Sequence, residues 1–473
     1  MSTQVPTRPA LPRRDTRMPR IDRQKLYARR AMLADLLVIG LWASSALAVA
    51  LYLTSRQAVI IGSTAENITS LGIVTGLVGT NFVLVMLVLT ARVPVIDALI
   101  GHDRAVAVHR SLGKPALYLL LAHGVLLLIG YGMSSHINPI AEISPMLALP
   151  DMPLAFVGTG LFIAVVVTSL VAVRRKFSYE GWHLVHLLSY LAVAFAVPHQ
   201  LSVGGVLADG TAQRVYWIAF YVVAFGALAT FRFIKPVVSS VRHRITVSGV
   251  TTISPGVTSI HFEGRNLRSL GTTGGQFFIW RFWTRRTWWH SHPISVSAVP
   301  TDTRARITVR ELGHGSARIS AIPVGTRVWI EGPYGVFSDI ARTAPKLAVV
   351  AAGIGVTAVR AFLESARFAP GEATILLRAS TENETYLWDE IGEIAAAKGA
   401  VLYSMIGGRA HSGPTWMTQK DARRGVSLAS IFPKLADSDL YVCGPSGWLD
   451  ELVGDARDQG VAPHRIHSER FDW

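Results

Sequence analysis

The chain has 473 residues, half of them hydrophobic, a mean hydropathy of +0.36 and only 16% charged residues. Soluble domains carry roughly 25% charged residues, so an ordinary soluble protein is excluded, and the length suggests about three domains. The single cysteine, Cys443, excludes an intramolecular disulfide framework and a cysteine-based metal cluster within one chain.

The net charge of +15 is unevenly spread: residues 1–30 hold nine Arg or Lys against two Asp, a basic tail of +7. The tail is too long and polar before the first apolar run to be a secretory signal peptide. Lying next to a membrane segment, it is expected on an anionic cytoplasmic leaflet rather than on nucleic acid.

Apolar runs follow near 31–53, 70–91, 113–132, 153–173, 182–201 and 215–234. Each approaches the ~20 residues that a helix needs to cross the hydrocarbon core, which predicts a six-helix transmembrane bundle over residues 31–237. Lys or Arg occurs in the tail, the 91–112 loop, the 174–181 loop and the stretch after Phe233, while the 133–151 loop has none. The positive-inside rule then puts both chain ends in the cytoplasm and the protein in the plasma (inner) membrane.

The third run and its approach carry His109 and His123, 14 residues apart. On a helix they share one face, 40° short of four full turns and about 21 Å apart along the axis. The fifth run carries His183, His186 and His199, and Pro198, just before His199, can kink the helix there. His186 and His199 are about 20 Å apart in depth, although on a straight helix their rings diverge by about 140°. Such histidines could simply bond helix to helix. Two on each of two spans, at matched depths, instead suggest two stacked haems: His109 with His186 for the inner one and His123 with His199 for the outer, with His183 a rival for His186. Bis-histidine ligation fills both axial positions and favours electron transfer.

Beyond residue 240 the character changes. From 243 to 338 short β-like stretches alternate with Gly and Pro turns, predicting an antiparallel β-barrel over 240–340. From 346 onward strands alternate with helices, predicting an α/β domain with a parallel sheet over 341–473. "AAGIGVTAVRAFL" (351–363) follows a strand and opens a helix; Gly353 and Gly355 let the backbone approach a pyrophosphate, although Ala358 breaks the full G-x-G-x-x-G pattern.

"HPISVSA" (292–298), "GHGSARI" (313–319), "EGPYGVF" (331–337), "YVCGPSGW" (441–448) and the terminal "HSERFDW" occur in that order behind the six spans. With them, residues 31–473 resemble the ferric reductase and NADPH oxidase family, in which a di-haem membrane domain precedes a ferredoxin-reductase-type module. The resemblance implies that His292, Pro293, Ile294 and Ser295 form the flavin strand, with Ile294 departing from the usual aromatic. It implies that Gly315 and Ser316 face the flavin diphosphate, and that Thr357 belongs to the nucleotide turn. Cys443, Gly444 and Pro445 would lie beside the nicotinamide. Glu469 and Phe471 match a Glu-x-aromatic ending that packs on the flavin, here extended by Asp472 and Trp473. Arg409 would grip the 2′-phosphate of NADPH. The family's reaction passes electrons from cytoplasmic NAD(P)H to FAD, then to two haem b groups, then to an outer acceptor such as a ferric chelate or dioxygen. A membrane component feeding a quinone or partner protein, and a transporter with a nucleotide-sensing domain, are the competing readings.

Overall fold

A computed structural model describes residues 23–471 except 56, 57, 60, 171, 172, 174–178, 204, 208, 209, 286, 412 and 414. The basic stretch before Arg23, most of the 174–181 loop, Asp472 and Trp473 lie outside these residues.

Among the described residues six helices are long and apolar enough to cross a bilayer. Five are α1 (Arg23–Leu53), α2 (Thr64–Thr90), α3 (His102–Ser135), α4 (Met152–Ser169) and α5 (Tyr179–Ser202), and the sixth, Ala212–His243, begins with α6 (Ala212–Ala227). The last runs through a π-helical segment, Leu228–Ile234, into α7 (Lys235–His243), which leaves the apolar zone. A capping box starts α2: the Glu66 amide donates to the Ser63 hydroxyl, and the Ser63 amide donates to the Glu66 carboxylate.

Small residues set how the helices pair. Gly72, Gly76 and Gly79 line the side of α2 that meets α3. A Cβ on Gly158 of α4 would lie 2.8 Å from the Ala192 carbonyl of α5. Close backbone approach of this kind is how helices associate without a hydrophobic driving force. The result is two helix pairs, α2 with α3 and α4 with α5, while the backbones of α3 and α5 make few close approaches. Asn81 joins α1, α2 and α6: it accepts from the Ser44 and Ser45 hydroxyls at 3.1 and 2.9 Å and donates to the Tyr216 hydroxyl at 3.1 Å.

The next unit is a six-stranded antiparallel sheet in the order β1-β2-β5-β4-β3-β6: β1 (Thr246–Ser254), β2 (Val257–Glu263), β3 (Phe277–Phe282), β4 (His292–Ala298), β5 (Arg304–Arg310) and β6 (Val328–Tyr334). A bridge between Thr246 and Arg327 closes it into a barrel around Phe262, Phe278, Trp280, Phe282 and Ile307.

A five-stranded parallel sheet follows in the order β11-β10-β7-β8-β9: β7 (Lys346–Ala352), β8 (Ala373–Ala379), β9 (Val401–Ile406), β10 (Ser438–Gly444) and β11 (Ile466–Arg470). Helices α8 (Val356–Ser365), α9 (Trp388–Lys398) and α10 (Ser446–Asp458) cover it. The middle strands β7, β8 and β10 are buried almost end to end, as covered parallel strands are.

Candidate functional site

The first constellation lies between the two helix pairs. His109 of α3 and His186 of α5 face each other with ring centroids 6.0 Å apart and planes at 70°. That gap admits one metal ion between two ring nitrogens at bonds of about 2 Å. The tautomer of His186 follows from its neighbours. The Ser169 hydroxyl donates its proton to the Val165 carbonyl at 2.7 Å, so its lone pairs accept from Trp182 Nε1 and His186 Nδ1, each at 3.3 Å. Nδ1 of His186 therefore carries the proton and Nε2 the lone pair that a metal needs. Trp182 stacks on the same ring at 5.0 Å.

His123 and His199 form a second level, within electrostatic reach of one another. His123 Nδ1 donates to the Gly72 carbonyl at 2.8 Å, which again leaves Nε2 with its lone pair. Its ring lies flat on Gly76, where any Cβ would collide with it. The buried rings of His109 and His199 approach the backbone of Met86 and Ala196 respectively. Four imidazoles at two levels of an apolar bundle suit a ligand better than a purely structural role. Among the described residues no three or more His, Cys, Asp or Glu side chains gather to hold a metal ion. Each level thus offers two histidines, one from α3 and one from α5. His183, one turn from His186, sits instead near Arg92, Arg232 and Arg281.

The second constellation lies where the barrel meets the parallel sheet. His292 opens β4 beside Phe282 and His290, and burial, then the charges of His290 and Arg281, hold its pKa down to about 4. It is neutral at pH 7. Pro293 pairs with Ile279, the Ile294 carbonyl accepts from the Trp280 indole at 2.9 Å, and buried Ser295 pairs with Phe277. Gly315 approaches His292 closely enough that a Cβ would sit 3.7 Å from the ring. The Ser316 hydroxyl accepts from the amides of Leu312 and Gly313 at 2.8 and 3.1 Å and so fixes that turn.

Across the cleft, Gly353 takes a φ of 53°, and a Cβ on Gly355 would strike the Cys443 carbonyl. Thr357 donates to the Ile354 carbonyl at 2.9 Å in the first turn of α8. Cys443, one residue before the end of β10, pairs with Glu469 of β11, with Gly444 and Pro445 next in the chain. Burial, then the charge of Glu469, push its thiol well above the usual cysteine range, so it stays protonated. The Glu469 carboxylate reaches Gly335, where a Cβ would lie 2.9 Å from it and 3.4 Å from Phe277. The Phe471 amide donates to the Gly444 carbonyl at 3.4 Å. The cleft thus unites Ser295, Gly335, Gly355, Cys443, Glu469 and Phe471 from distant parts of the chain. Arg409 stands half-exposed, paired with Glu451 at 3.2 Å.

Residues 75–197 match the ferric reductase like transmembrane component family. The chain is also similar to ferredoxin–NADP reductase B of Sorangium cellulosum, 30% identical over 35% of this chain and 70% of that protein. The chain therefore carries a ferric-reductase-like transmembrane domain followed by a module of the ferredoxin–NADP reductase family. It is 25% identical to a flavohemoprotein of Oceanobacillus iheyensis over 38% of this chain and 47% of the relative, so it spans about half the length of that curated relative. The FAD/NAD-binding domain of a nitric oxide dioxygenase from Vibrio cholerae covers 49% of this chain and 99% of itself, with a TM-score of 0.38 and 23% identity. Its six candidate spans make it a multi-pass membrane protein.

Three further features of the chain bear on these sites. Arg378, at the end of β8, is 3% exposed; its Nη1 donates to the Ala379 carbonyl, and Nε and Nη2 have no partner. It lies within electrostatic reach of Arg409. A charged residue inside "ATILLRA", an otherwise apolar parallel strand, was the available signal. Gly76 was visible only as part of a small-residue row, Gly72, Gly76, Gly79. The junction between membrane bundle and barrel left no signal. There Glu331 of β6 accepts from Arg92 at 2.7 Å, Arg232 at 3.1 Å and the Tyr334 hydroxyl at 3.0 Å. Arg30 at the start of α1 donates to the Ile340 carbonyl at 3.0 Å on the same side.

Proposed function

We propose that the protein is a transmembrane NAD(P)H oxidoreductase that holds FAD and two bis-histidine b-type haems and delivers electrons to an acceptor on the far side, a ferric chelate or dioxygen. The observation that carries the reading is the facing pair His109 and His186, set 6.0 Å apart between helices whose backbones do not pack. When bound, FAD would convert a two-electron donor into single-electron steps and haem iron would relay them.

The chain's own residues supply position. Ser169 and the Gly72 carbonyl fix the His186 and His123 tautomers, so that both present Nε2. His292, Pro293, Ile294, Ser295, Gly315 and Ser316 form the flavin cradle, and neutral His292 adds no charge beside it. Gly353, Gly355 and Thr357 open the nucleotide turn at the N-terminus of α8, which favours a pyrophosphate. Phe471 would cover the cleft and yield to a nicotinamide, with Glu469, Cys443, Gly444 and Pro445 beneath; Trp473, the other aromatic of the ending, lies outside the described residues. Arg378 and Arg409 receive a 2′-phosphate, which favours NADPH over NADH. The division into a basic tail (1–30), membrane domain (31–237), FAD domain (240–340) and NAD(P)H domain (341–473) belongs to this proposal. So does a plasma (inner) membrane location with both ends in the cytoplasm, supported by the Arg and Lys on alternate loops.

The test is the purified full-length protein, expressed with ample porphyrin and mixed anaerobically with NADPH or NADH. A Soret band, flavin bleaching and haem reduction are expected, faster with NADPH. Colourless protein would overturn the reading. Admission of ferric citrate or oxygen then identifies the acceptor.

A further inference from the structure

The barrel carries a group of tryptophans that the proposed chemistry does not use. Between β3 and β4 runs the segment "WTRRTWWHS" (283–291). Trp283, Trp288 and Trp289 are 45%, 53% and 54% exposed. Trp283 packs on Trp329 of β6 at 4.7 Å and on Trp288 at 6.3 Å. The loop is held firmly: buried Thr287 donates to the Phe282 carbonyl at 2.8 Å, the Trp288 amide donates to the Thr284 carbonyl at 3.2 Å, and the Trp283 amide donates to the Arg327 carbonyl at 2.9 Å. The loop leaves about half of each indole uncovered, and three such rings side by side form an apolar patch of the kind that marks a contact surface.

The sheet register shows which way this group faces. Ile279 pairs with Glu331 and Arg281 with Trp329, so Glu331, Trp329, Arg281 and, one step on, Trp283 share one face. The alternate residues Phe278, Trp280, Phe282, Val328 and Ile330 fill the barrel core. The outward face is the one that meets the membrane bundle. Glu331 binds Arg92 and Arg232, just beyond α2 and α6, and Arg281 lies within electrostatic reach of His183 in the first turns of α5. The tryptophans therefore continue, past Arg281, the surface that rests on the ends of the spans. Exposed Arg285 lies among them. Indoles mixed with arginines suit the interface between hydrocarbon and headgroups, where the ring body is apolar, its N–H is satisfied and the cations meet anionic lipid.

We propose that Trp283, Trp288 and Trp289, with Arg281 and Arg285, form an interfacial anchor that inserts the barrel into the headgroup layer of the bilayer its own bundle spans. The anchor is a second attachment of the barrel to the membrane, beside the Glu331 junction.

The proposal rests on the bundle crossing a bilayer and not on the redox reading. Colourless protein would defeat the latter and leave this test intact. The full-length protein is placed in nanodiscs containing phosphatidylglycerol, with single nitroxide labels at Trp288→Cys, Trp289→Cys and Arg285→Cys. Native Cys443 is fully buried and so resists labelling. The control is Val401→Cys on β9, the sheet edge opposite β11. The β11 side is the one near the bundle, where Tyr27 of α1 stacks on His464 at 4.7 Å. Labels in the loop are expected to collide several-fold more with oxygen than with a water-soluble nickel chelate, while the label at 401 does the reverse. Loop labels as open to nickel as the control would overturn the anchor. Arg285→Cys removes no indole, so it keeps the test decisive where a tryptophan variant folds poorly. Phosphatidylcholine discs should reduce the contrast without abolishing it.

Discussion

The membrane bundle and the soluble module build their sites by opposite means. In the bundle the candidate chemistry sits on side chains: a few histidines stand out in an apolar background, and Gly76 on the neighbouring helix makes room for the His123 ring. In the module much of it sits on backbone: Gly315, Gly335, Gly353 and Gly355 bring main chain close, and the side chains around them mostly brace turns. The difference follows from the solvent. In lipid every backbone group is spent inside its helix, so only side chains remain to bind anything. In water, strand ends and helix starts leave amides free to bind.

The largest expected effect tests the bundle side. His123→Ala should remove one of two haems, lowering the Soret absorbance by about half and abolishing transfer to the outer acceptor. Flavin bleaching by NADPH should persist, which anaerobic stopped-flow spectra would check. Next comes the junction that joins the two regions. Glu331→Gln leaves two guanidiniums without their carboxylate, and removing one partner of a buried ion pair costs about 3–5 kcal/mol. Partial exposure of Arg232 places this near the lower end. Thermal melts should show the loss, and haem reduction should slow while flavin reduction does not.

Gly76→Ala sharpens the claim that small residues serve the histidines. Overpacking against the His123 ring should cost about 1–3 kcal/mol and shift the haem spectrum. Gly79→Ala, which meets only the flexible ends of Leu120 and the Leu119 Cβ, should leave that spectrum unchanged. On the module side, Arg378→Ala should raise KM for NADPH about tenfold, roughly 1.4 kcal/mol, with little change for NADH.

The smallest effect is a pH slope. His292 has a folded pKa of about 4, below its ordinary 6.5, so the unfolded chain binds more protons between those values. Its contribution to stability is complete above about pH 6.5 and is lost as pH falls toward 4. His292→Gln should flatten that part of a melting-temperature profile measured from pH 7 to 4.5.

Part of the site was legible before any coordinates. The 14-residue interval puts His109 and His123 on one helical face because both lie on a single rigid rod whose period is known. The turn after β7 was legible for a similar reason: Gly353 and Gly355 act on backbone within a few residues of themselves. Arg378 and Gly76 were harder, because each is defined by what a neighbouring element does to it. Arg92 and Glu331 are 239 residues apart and carry no motif at all.

The amino-acid order by itself determined six apolar spans, a barrel, a parallel sheet and the histidines that punctuate the membrane half, because periodicity and hydropathy are local properties of a chain. Only the tertiary structure decided that His186 rather than His183 faces His109, that Ser169 holds its proton on Nδ1, and that Glu331 ties the barrel to the bundle. Those outcomes depend on which helices pack and how strands register. Such choices are made by the summed fit of many distant side chains, and no single segment encodes them.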